Sequence, residues 1–163
     1  MSQYEYLTGR PLAALMYDEL EEYQSAIEFL TTRIQNAPAN GVAYHNRALA
    51  YWEIGKVEEA ITDFDYAIEF SPKNYMPPHI KGLLLQRIGR TEEAIASFGR
   101  AIEIKPDEAT ALRARAALLV EVGRLEEALK DYNRAVQLEP SFKHTREARD
   151  ALVSKVAQAK DAT

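Results

Sequence analysis

The sequence contains no cysteine, and it has only 7 glycines and 7 prolines among 163 residues. Without cysteine, disulfides, thiolate metal sites and thiol nucleophiles are excluded. The scarcity of glycine and proline, together with a hydrophobic content of 47%, favours a folded chain over a disordered one. The sequence also has no apolar run of about 18 residues and no basic start followed by an apolar stretch. We therefore expect a soluble, cytoplasmic protein without membrane insertion.

Positive charge is scarce as well, because 20 lysines and arginines are outnumbered by 25 aspartates and glutamates, giving a formal net charge of -5. Proteins that bind duplex nucleic acid usually present a basic face to the phosphate backbone. We therefore expect no nucleic acid partner.

The main feature of the sequence is an internal repeat. The stretch GKVEEAITDFDYAIEFSP begins at Gly55, and variants of it begin at Gly89 and Gly123, at equal intervals along the chain. Three units of identical length align without a gap, over 41–74, 75–108 and 109–142. A period of this length indicates stacked repeats, in which each unit buries its apolar surface against its neighbours.

Each unit is predicted to fold as two helices. In the first helix of the first unit, Tyr44, Ala48 and Tyr51 are spaced by four and three positions and form one helical face. This helix is followed by Gly55, a residue type that suits the left-handed C-terminal cap. The second helix begins with two glutamates and ends before Pro72, because proline cannot continue a helix. Its repeated apolar face reads, in this unit, Ala60, Ile61, Phe64, Ala67 and Ile68.

The small residues of this pattern predict how the two helices cross. Alanine or glycine at the crossing lets two backbones approach, while one large aromatic ring fills the space beside them. One unit cannot bury both of its helices, so the core is expected to form between copies.

The pattern resembles the tetratricopeptide repeat, which has an aromatic residue at the fourth position, a small residue at the eighth, Ala-x3-aromatic-x2-Ala in the second helix and a closing proline. The resemblance covers residues 41–142 without a gap. It implies an all-α fold, a right-handed superhelical solenoid of antiparallel helix pairs. We expect this solenoid to form a single domain over residues 1–163.

The repeat also predicts a degenerate first copy over residues 7–40. Counting back one repeat length from Pro72 reaches Pro38. Four further residues match the later copies, namely Ala14, Tyr17, Ala26 and Leu30. In this copy Glu21 replaces the turn glycine and Arg33 replaces an alanine.

A capping helix is predicted over residues 143–160. There, Ala148, Leu152, Val156 and Ala159 form an apolar stripe among charged residues. The terminal unit of a repeat array needs such a helix, with a polar outer face, to cover the exposed core.

The resemblance implies that the first helices line a concave groove, which in this family commonly holds a peptide or a partner helix. The residues that we expect to line it are Trp52, Met76, Ile80, Leu83, His45, Asn46, Leu49, His79, Arg87 and Arg113. The first four are the predicted centre, because they are more apolar than a solvated wall requires. Alternatively, Leu49, Ile80 and Leu83 pack between adjacent first helices.

The resemblance also permits a negative prediction. Chaperone-binding members hold a terminal carboxylate with a clamp of lysine, arginine and asparagine on three successive first helices. Counted from Gly41, the clamp positions here carry His45, Leu49, Ile80, Thr110 and Ala114, and counted from Leu7 they carry Pro11, Leu15, Asn46, Met76 and Ile80. We therefore expect no tight binding of an acidic chaperone tail.

Catalytic and metal sites are not expected. Two of the three histidines, His45 and His79, share the fifth position of adjacent units, and we expect them to face solvent or a ligand, because no further metal ligand is evident. The paired glutamates at each second helix are explained by the helix dipole rather than by acid–base chemistry. No cofactor is predicted.

A cation occupies the seventh position of every unit. In two units it is an arginine, Arg47 or Arg115, and an aspartate, Asp63 or Asp131, follows at the same interval on the second helix. We expect one structural ion pair in each of these units, with ligand binding as the alternative.

These observations lead to two hypotheses for function. The first is a non-enzymatic adaptor that binds a peptide segment or helix of an unidentified partner protein in the concave groove. The second is a structural scaffold, either a homodimer formed through the degenerate repeat and aromatics such as Tyr4 and Tyr6, or part of a larger repeat protein.

Overall fold

The computed structural model describes residues 12–161, with side chains described over residues 20–158. The described residues contain no β-strand. They form eight helices: α1 (Leu12–Asn36), α2 (Gly41–Glu53), α3 (Val57–Phe70), α4 (Met76–Arg87), α5 (Thr91–Ile104), α6 (Ala109–Glu121), α7 (Leu125–Leu138) and α8 (Lys143–Asp161). The prediction of an all-α repeat fold is confirmed.

The chain divides into two compact units between Pro72 and Lys73. The first unit holds α1 to α3, and α2 packs against both of the others. The second unit holds α4 to α8, and each helix packs against the next one along the chain. Because α2 and α3 are joined by a short turn and pack along each other, the two helices run antiparallel, as do α4 with α5 and α6 with α7.

The turn between α2 and α3 explains the glycine that recurs in each repeat. Gly55 has a φ of 77°, in the left-handed region that residues with a Cβ rarely adopt. The Lys56 N–H then donates a hydrogen bond to the carbonyl of Tyr51 at 2.8 Å, as in a Schellman motif. At Gly89 and Gly123 the φ angles are 78° and 79°. The predicted left-handed caps are therefore confirmed.

The core of each helix pair combines small residues with one large ring. In the pair formed by α2 and α3, the side chains of Ala48, Phe64 and Ala67 are each 0% exposed. In the pair formed by α4 and α5, Gly82 lies so close to Phe98 that a Cβ built on the glycine would be 2.8 Å from a ring carbon. The predicted packing of a small residue against an aromatic ring is thus confirmed at this crossing.

The first helix differs in form from the later helix pairs. The later copies turn after their first helix, but α1 runs without a break from Leu12 to Asn36, through Glu21 at the position of the turn glycine. Glutamate is a strong helix former, and its Cβ disfavours the left-handed cap. Residues 1–11, which include Tyr4 and Tyr6, lie outside the described residues. The degenerate repeat over 7–40 stays a prediction.

The last helix, α8, packs against α7. Two members of its predicted apolar stripe, Leu152 and Val156, are buried, and Ala148 is half-buried. The side chain of Ala159 lies outside the described residues. The helical form expected for this segment is present, and its role as a cap stays a prediction.

Candidate functional site

Helix α4 has one fully buried face and one partly open face. Pro78, Gly82 and Leu85 belong to the buried face. On the opposite side, four residues spaced by four, three and four positions form a stripe, namely Met76, Ile80, Leu83 and Arg87. Met76 is 37% exposed and Arg87 is exposed, while Ile80 and Leu83 are half-buried. These four residues, which we call the α4 stripe, were all predicted from the sequence to line a partner-binding surface.

Helix α2, in the first unit, carries four more of the predicted residues. Asn46 is exposed, and His45, Leu49 and Trp52 are half-buried. The side chains of Leu49 and Trp52 therefore contribute to the surface of this unit and to its packing. The alternative that Leu49 packs between adjacent first helices stays a prediction.

Arg113 on α6 is less available than the sequence suggested. Its guanidinium forms a short ion pair with Glu139 and lies over the ring of Phe142, 4.4 Å from the ring centroid. It also donates a hydrogen bond to Thr110 at 3.3 Å. The side chain thus ties α6 to the end of α7 in addition to lying at the predicted position.

The two equivalent histidines are placed differently from the prediction that they face solvent or a ligand. His79 is 7% exposed and contacts the buried ring of Phe98, with 5.7 Å between the ring centroids. His45 is half-buried and lies 5.7 Å from the ring of Phe64. The expectation is therefore wrong for His79, because its ring turns toward the aromatic ring of the second helix.

Burial also determines the protonation of these histidines. In both rings Nδ1 is buried and has no hydrogen-bond partner among the described residues. Removal from water disfavours the imidazolium, so burial lowers the pKa of His45 and of His79 below the ordinary histidine value. At His79 the nearby carboxylate of Glu108 opposes this shift in pKa.

The predicted ion pairs are confirmed in both arginine-containing repeats. Arg47 donates to Asp63 from Nε at 2.6 Å and from Nη2 at 2.8 Å. Arg115 donates to Asp131 from the same two nitrogens at 2.6 and 2.7 Å. The two carboxylates are buried, at 3% and 4% exposure. Arg47 also donates to Thr31 on α1 at 2.9 Å, so it joins all three helices of its unit.

One surface feature was missed by the sequence reasoning. A shallow cavity of about 200 Å³ lies between α1 and α2 and is lined by residues that include Phe29, Arg33, Val42 and Asn46. Phe29 and Val42 are each 60% exposed, more than any other large hydrophobic side chain among the described residues. Only Asn46 was among the predicted site residues. The signal was the pair of replacements in α1, where phenylalanine and arginine occupy positions that are buried in later copies.

Among the described residues, no group of three histidine or acidic side chains could hold a metal ion. None of their helices is long and apolar enough to cross a membrane.

Comparison with known proteins identifies the family of the chain. Residues 11–157 match the family model described as the ETO1 C-terminal domain. The chain belongs to the ETO1 C-terminal domain family. The match covers most of the chain, including all eight helices except the last residues of α8. No curated protein matches the chain.

Solved structures confirm that this member of the ETO1 C-terminal domain family has the tetratricopeptide repeat fold. YrrB, described as a TPR protein with an unusual peptide-binding site, has a TM-score of 0.71 at 18% identity, over 88% of this chain and 74% of its own. MamA from Desulfovibrio magneticus RS-1 has a TM-score of 0.69 at 18% identity, over 89% of each chain. The first TPR of Spaghetti (RPAP3), solved with the HSP90 peptide SRMEEVD, has a TM-score of 0.63 at 23% identity, over 72% of this chain and 93% of its own.

Proposed function

We propose that the protein is a non-enzymatic, cytoplasmic adaptor that binds a peptide segment or helix of a partner protein through the open faces of its first helices. The observation that carries this proposal is the α4 stripe. Its three apolar members, Met76, Ile80 and Leu83, keep part of their surface in water although the opposite face of the same helix is fully buried. Apolar side chains in a row at helical spacing suit a ligand that also presents a row of apolar side chains.

Charge at the edge of the stripe suggests which ligands fit. Arg87 is exposed at its C-terminal end, where its cation faces water. An apolar segment with an acidic residue at one end would complement both features. His79 is 7% exposed and contacts the ring of Phe98, so we propose that it supports the site from inside the helix pair and that the ligand contacts the α4 stripe instead.

The similar structures support peptide binding as the class of function. The RPAP3 domain was solved with an HSP90 peptide, and YrrB is described by its peptide-binding site. The ligand of this chain should differ from the HSP90 peptide. None of the clamp positions counted from Gly41 carries lysine, arginine or asparagine, since they hold His45, Leu49, Ile80, Thr110 and Ala114. We therefore propose that SRMEEVD does not bind with micromolar affinity, and isothermal titration calorimetry with the full chain would test this directly.

The main experiment compares two single substitutions of matched exposure in a quantitative pull-down from native lysate. Met76→Glu places a charge on the α4 stripe, where the native side chain is 37% exposed. Ile88→Glu places the same charge just beyond the same helix and off the stripe, where the native side chain is 39% exposed. We expect a partner that is captured by the wild type and by Ile88→Glu but lost with Met76→Glu. Circular dichroism must show equal helicity for all three proteins.

The captured partner then supplies a defined peptide for direct measurement. Trp52 is the only tryptophan of the chain, so its fluorescence reports on ligands that reach α2.

The pull-down also has an outcome that contradicts the proposal. If Met76→Glu and Ile88→Glu capture the same proteins as the wild type, the α4 stripe is not the binding surface and this proposal fails.

A further inference from the structure

A groove lies between α5 and α7, within the second unit of the chain. It forms a cavity of about 700 Å³, a volume in the range of ligand-binding clefts. Ile102 and Leu129 line it from the two helices, and both side chains are half-buried. Its other lining residues include Leu112 and Arg115 of α6 and Arg134 of α7. We call this cavity the α5–α7 groove.

The repeat allows a comparison with the matching positions of the first unit, which carry aromatic rings. Leu112 and Arg134 correspond to Tyr44 and Tyr66. The ring centroids of Tyr44 and Tyr66 are 5.0 Å apart, and those of Tyr44 and Phe70 are 5.6 Å apart. In the first unit, rings of the chain itself therefore pack together where the second unit has leucine and arginine beside a cavity.

A hydrogen-bond acceptor differs between the two units in the same way. In the first unit, Arg47 donates from Nη1 to the hydroxyl of Thr31 at 2.9 Å, in addition to its ion pair. Arg115 forms the same ion pair, but the position of Thr31 is taken by Gly99, which has no side chain. A Cβ built on Gly99 would be 3.3 Å from Nη1 of Arg115, so this nitrogen is placed as it is in Arg47. The hydroxyl that accepts from this donor in the first unit therefore has no counterpart in the second.

The wall that α7 contributes to the groove is basic, whereas the matching wall of α3 is acidic. Four of the exposed side chains that line the groove from α7 carry two positive charges, namely Lys130, Asn133, Arg134 and Gln137. Their counterparts on α3 carry two negative charges, namely Thr62, Asp65, Tyr66 and Glu69. Glu126 also lines the groove, but it is matched by Glu58 and does not contribute to this difference. The groove is therefore suited to a ligand with negative charge.

We propose that the α5–α7 groove is a further binding site, which takes an acidic peptide segment with an aromatic side chain from a partner protein. The aromatic ring would fill the space between Ile102 and Leu129 and lie against the guanidinium of Arg134. A carboxylate beside the ring would accept hydrogen bonds from Nη1 of Arg115 and from Lys130. The ligand would thus supply the ring and the acceptor oxygen that the first unit provides from its own side chains.

This site is separate from the surface proposed above for the adaptor function. The residues that line the α5–α7 groove lie between Ile102 and Gln137, whereas the α4 stripe ends at Arg87. The side chain of Arg115 is 26% exposed, so a ligand in the groove can reach it. The two proposals can therefore be tested and can fail independently of each other.

The first experiment determines the class of ligand without assuming its sequence. The full chain is immobilised and incubated with a mixture of short peptides, each with one fixed tyrosine between random positions, and the bound peptides are sequenced. We expect aspartate and glutamate to be enriched beside the tyrosine. A second mixture with alanine in place of the fixed tyrosine should show no such enrichment, because the ring fills the groove.

Binding of the enriched peptides is then compared for two variants with the same charge reversal at the same position of the repeat. Arg134→Glu lies in the groove, whereas Arg100→Glu lies one repeat earlier, on α5, where the native side chain is also exposed. We expect Arg134→Glu to weaken binding about tenfold or more, because repulsion replaces attraction. Arg100→Glu should bind like the wild type, and so should Met76→Glu, which alters only the α4 stripe. Circular dichroism checks that each variant is folded.

A second pair of variants tests the role of Arg115. Gly99→Thr supplies the hydroxyl that Thr31 supplies in the first unit, so it should occupy Nη1 of Arg115 and weaken binding several-fold. Gly99→Ala adds a Cβ without an acceptor and should bind more tightly than Gly99→Thr. Equal binding by the two variants would contradict the assignment of Arg115 as a donor to the ligand.

Three results would overturn the proposal as a whole. One is a selection in which acidic residues are not enriched. Another is a set of enriched peptides that Arg134→Glu and Arg100→Glu bind equally, because the peptides would then use another surface. The third is a wild type that is a dimer in light scattering and that Arg134→Glu makes monomeric, because a second copy of the chain would then occupy the groove.

Discussion

Arg115 on α6 forms a hydrogen-bonded ion pair with Asp131 on α7, in which two nitrogens of the arginine donate at 2.6 and 2.7 Å. The arginine side chain is 26% exposed, but that of the aspartate is only 5% exposed. Arg47 and Asp63 repeat the same geometry in the other unit. A buried carboxylate with a fixed partner makes the pairing of first and second helix specific, because a shifted pairing would leave the charge buried alone.

The first prediction concerns this pair. Arg115→Met should lower the free energy of unfolding by about 3 kcal/mol, because it leaves the carboxylate of Asp131 buried without its partner. Asp131→Leu removes the buried charge itself and should cost less. The double variant should therefore be more stable than the sum of the single effects predicts, with a coupling above about 1 kcal/mol in urea unfolding.

The exposed pair Arg100–Glu103 is the control for this cycle. Its side chains are 47% and 68% exposed, so water solvates both charges when the pair is broken. The same cycle there should give no measurable coupling. Equal coupling in the two cycles would show that burial of Asp131 does not determine the strength of its pair.

The second prediction concerns the crossing of α4 and α5. Gly82→Ala should lower the free energy of unfolding by about 1 to 3 kcal/mol, because the added Cβ would lie 2.8 to 3.0 Å from three carbons of the fully buried Phe98 ring. Gly99→Ala is the control in the next helix. Its Cβ would meet only the flexible end of Arg115, at 3.3 Å, so the gain in helix propensity should make the protein as stable as the wild type or slightly more stable. If both variants are equally stable, the crossing has more free space than the distances indicate.

The third prediction concerns the turn after α4. Nothing lies within 4 Å of a Cβ built on Gly89, but its φ is 78°. Gly89→Ala should therefore cost about 1 to 2 kcal/mol through backbone strain alone, without any steric clash. Gly89→Asn should cost less, because asparagine tolerates the left-handed conformation better. Thermal unfolding of the two variants distinguishes them, and equal stability of wild type and alanine variant would contradict the assignment.

Much of the fold could be predicted from the sequence because its signals are local and repeated. Gly55 fixes a turn through its own backbone preference, and the partner of Arg47 follows from a spacing that Arg115 and Asp131 repeat. The form of α1 was harder to predict, because the apolar pattern of a first helix persists upstream of Glu21 although the turn residue is absent. The apolar pattern predicts which faces of two helices can pack together. The residue at the turn decides whether the chain reverses so that they do.

The candidate site was predicted less completely, for a physical reason. Helical spacing assigns a direction around the helix axis, and it placed the α4 stripe on the side opposite the buried face. It does not give the width of the buried face, which depends on the neighbouring ring. His79 lies at the edge of that face and is covered by Phe98, and Arg113 is engaged by Glu139, which lies beyond the end of another helix. Both placements depend on tertiary contacts that no local pattern contains.

The last prediction concerns the pH dependence of stability. Burial lowers the pKa of His79 and His45 in the folded state, so the unfolded chain, with a histidine pKa of about 6.5, binds protons more readily. The stability that these neutral rings provide is therefore present above about pH 6.5 and is lost as the pH falls toward their lower folded pKa values. Each histidine can contribute a slope of up to about 1.4 kcal/mol per pH unit in this range. Glu108 opposes the lowering of the pKa at His79, whereas burial is the only cause acting on the pKa of His45. We therefore expect both histidines to contribute to the pH dependence.

His79→Leu isolates the contribution of one ring to this pH dependence. Leucine suits the apolar surroundings of Phe98 and removes the buried Nδ1 that has no partner among the described residues. The variant should lose less stability than the wild type between about pH 7.5 and pH 5 in urea unfolding. His144→Gln is the control, because the side chain of His144 is 89% exposed, and it should keep the wild-type pH dependence. If wild type and His79→Leu show the same change in unfolding free energy, protonation of the buried ring does not limit stability, because the helix pair then accommodates the imidazolium beside Phe98 without loss.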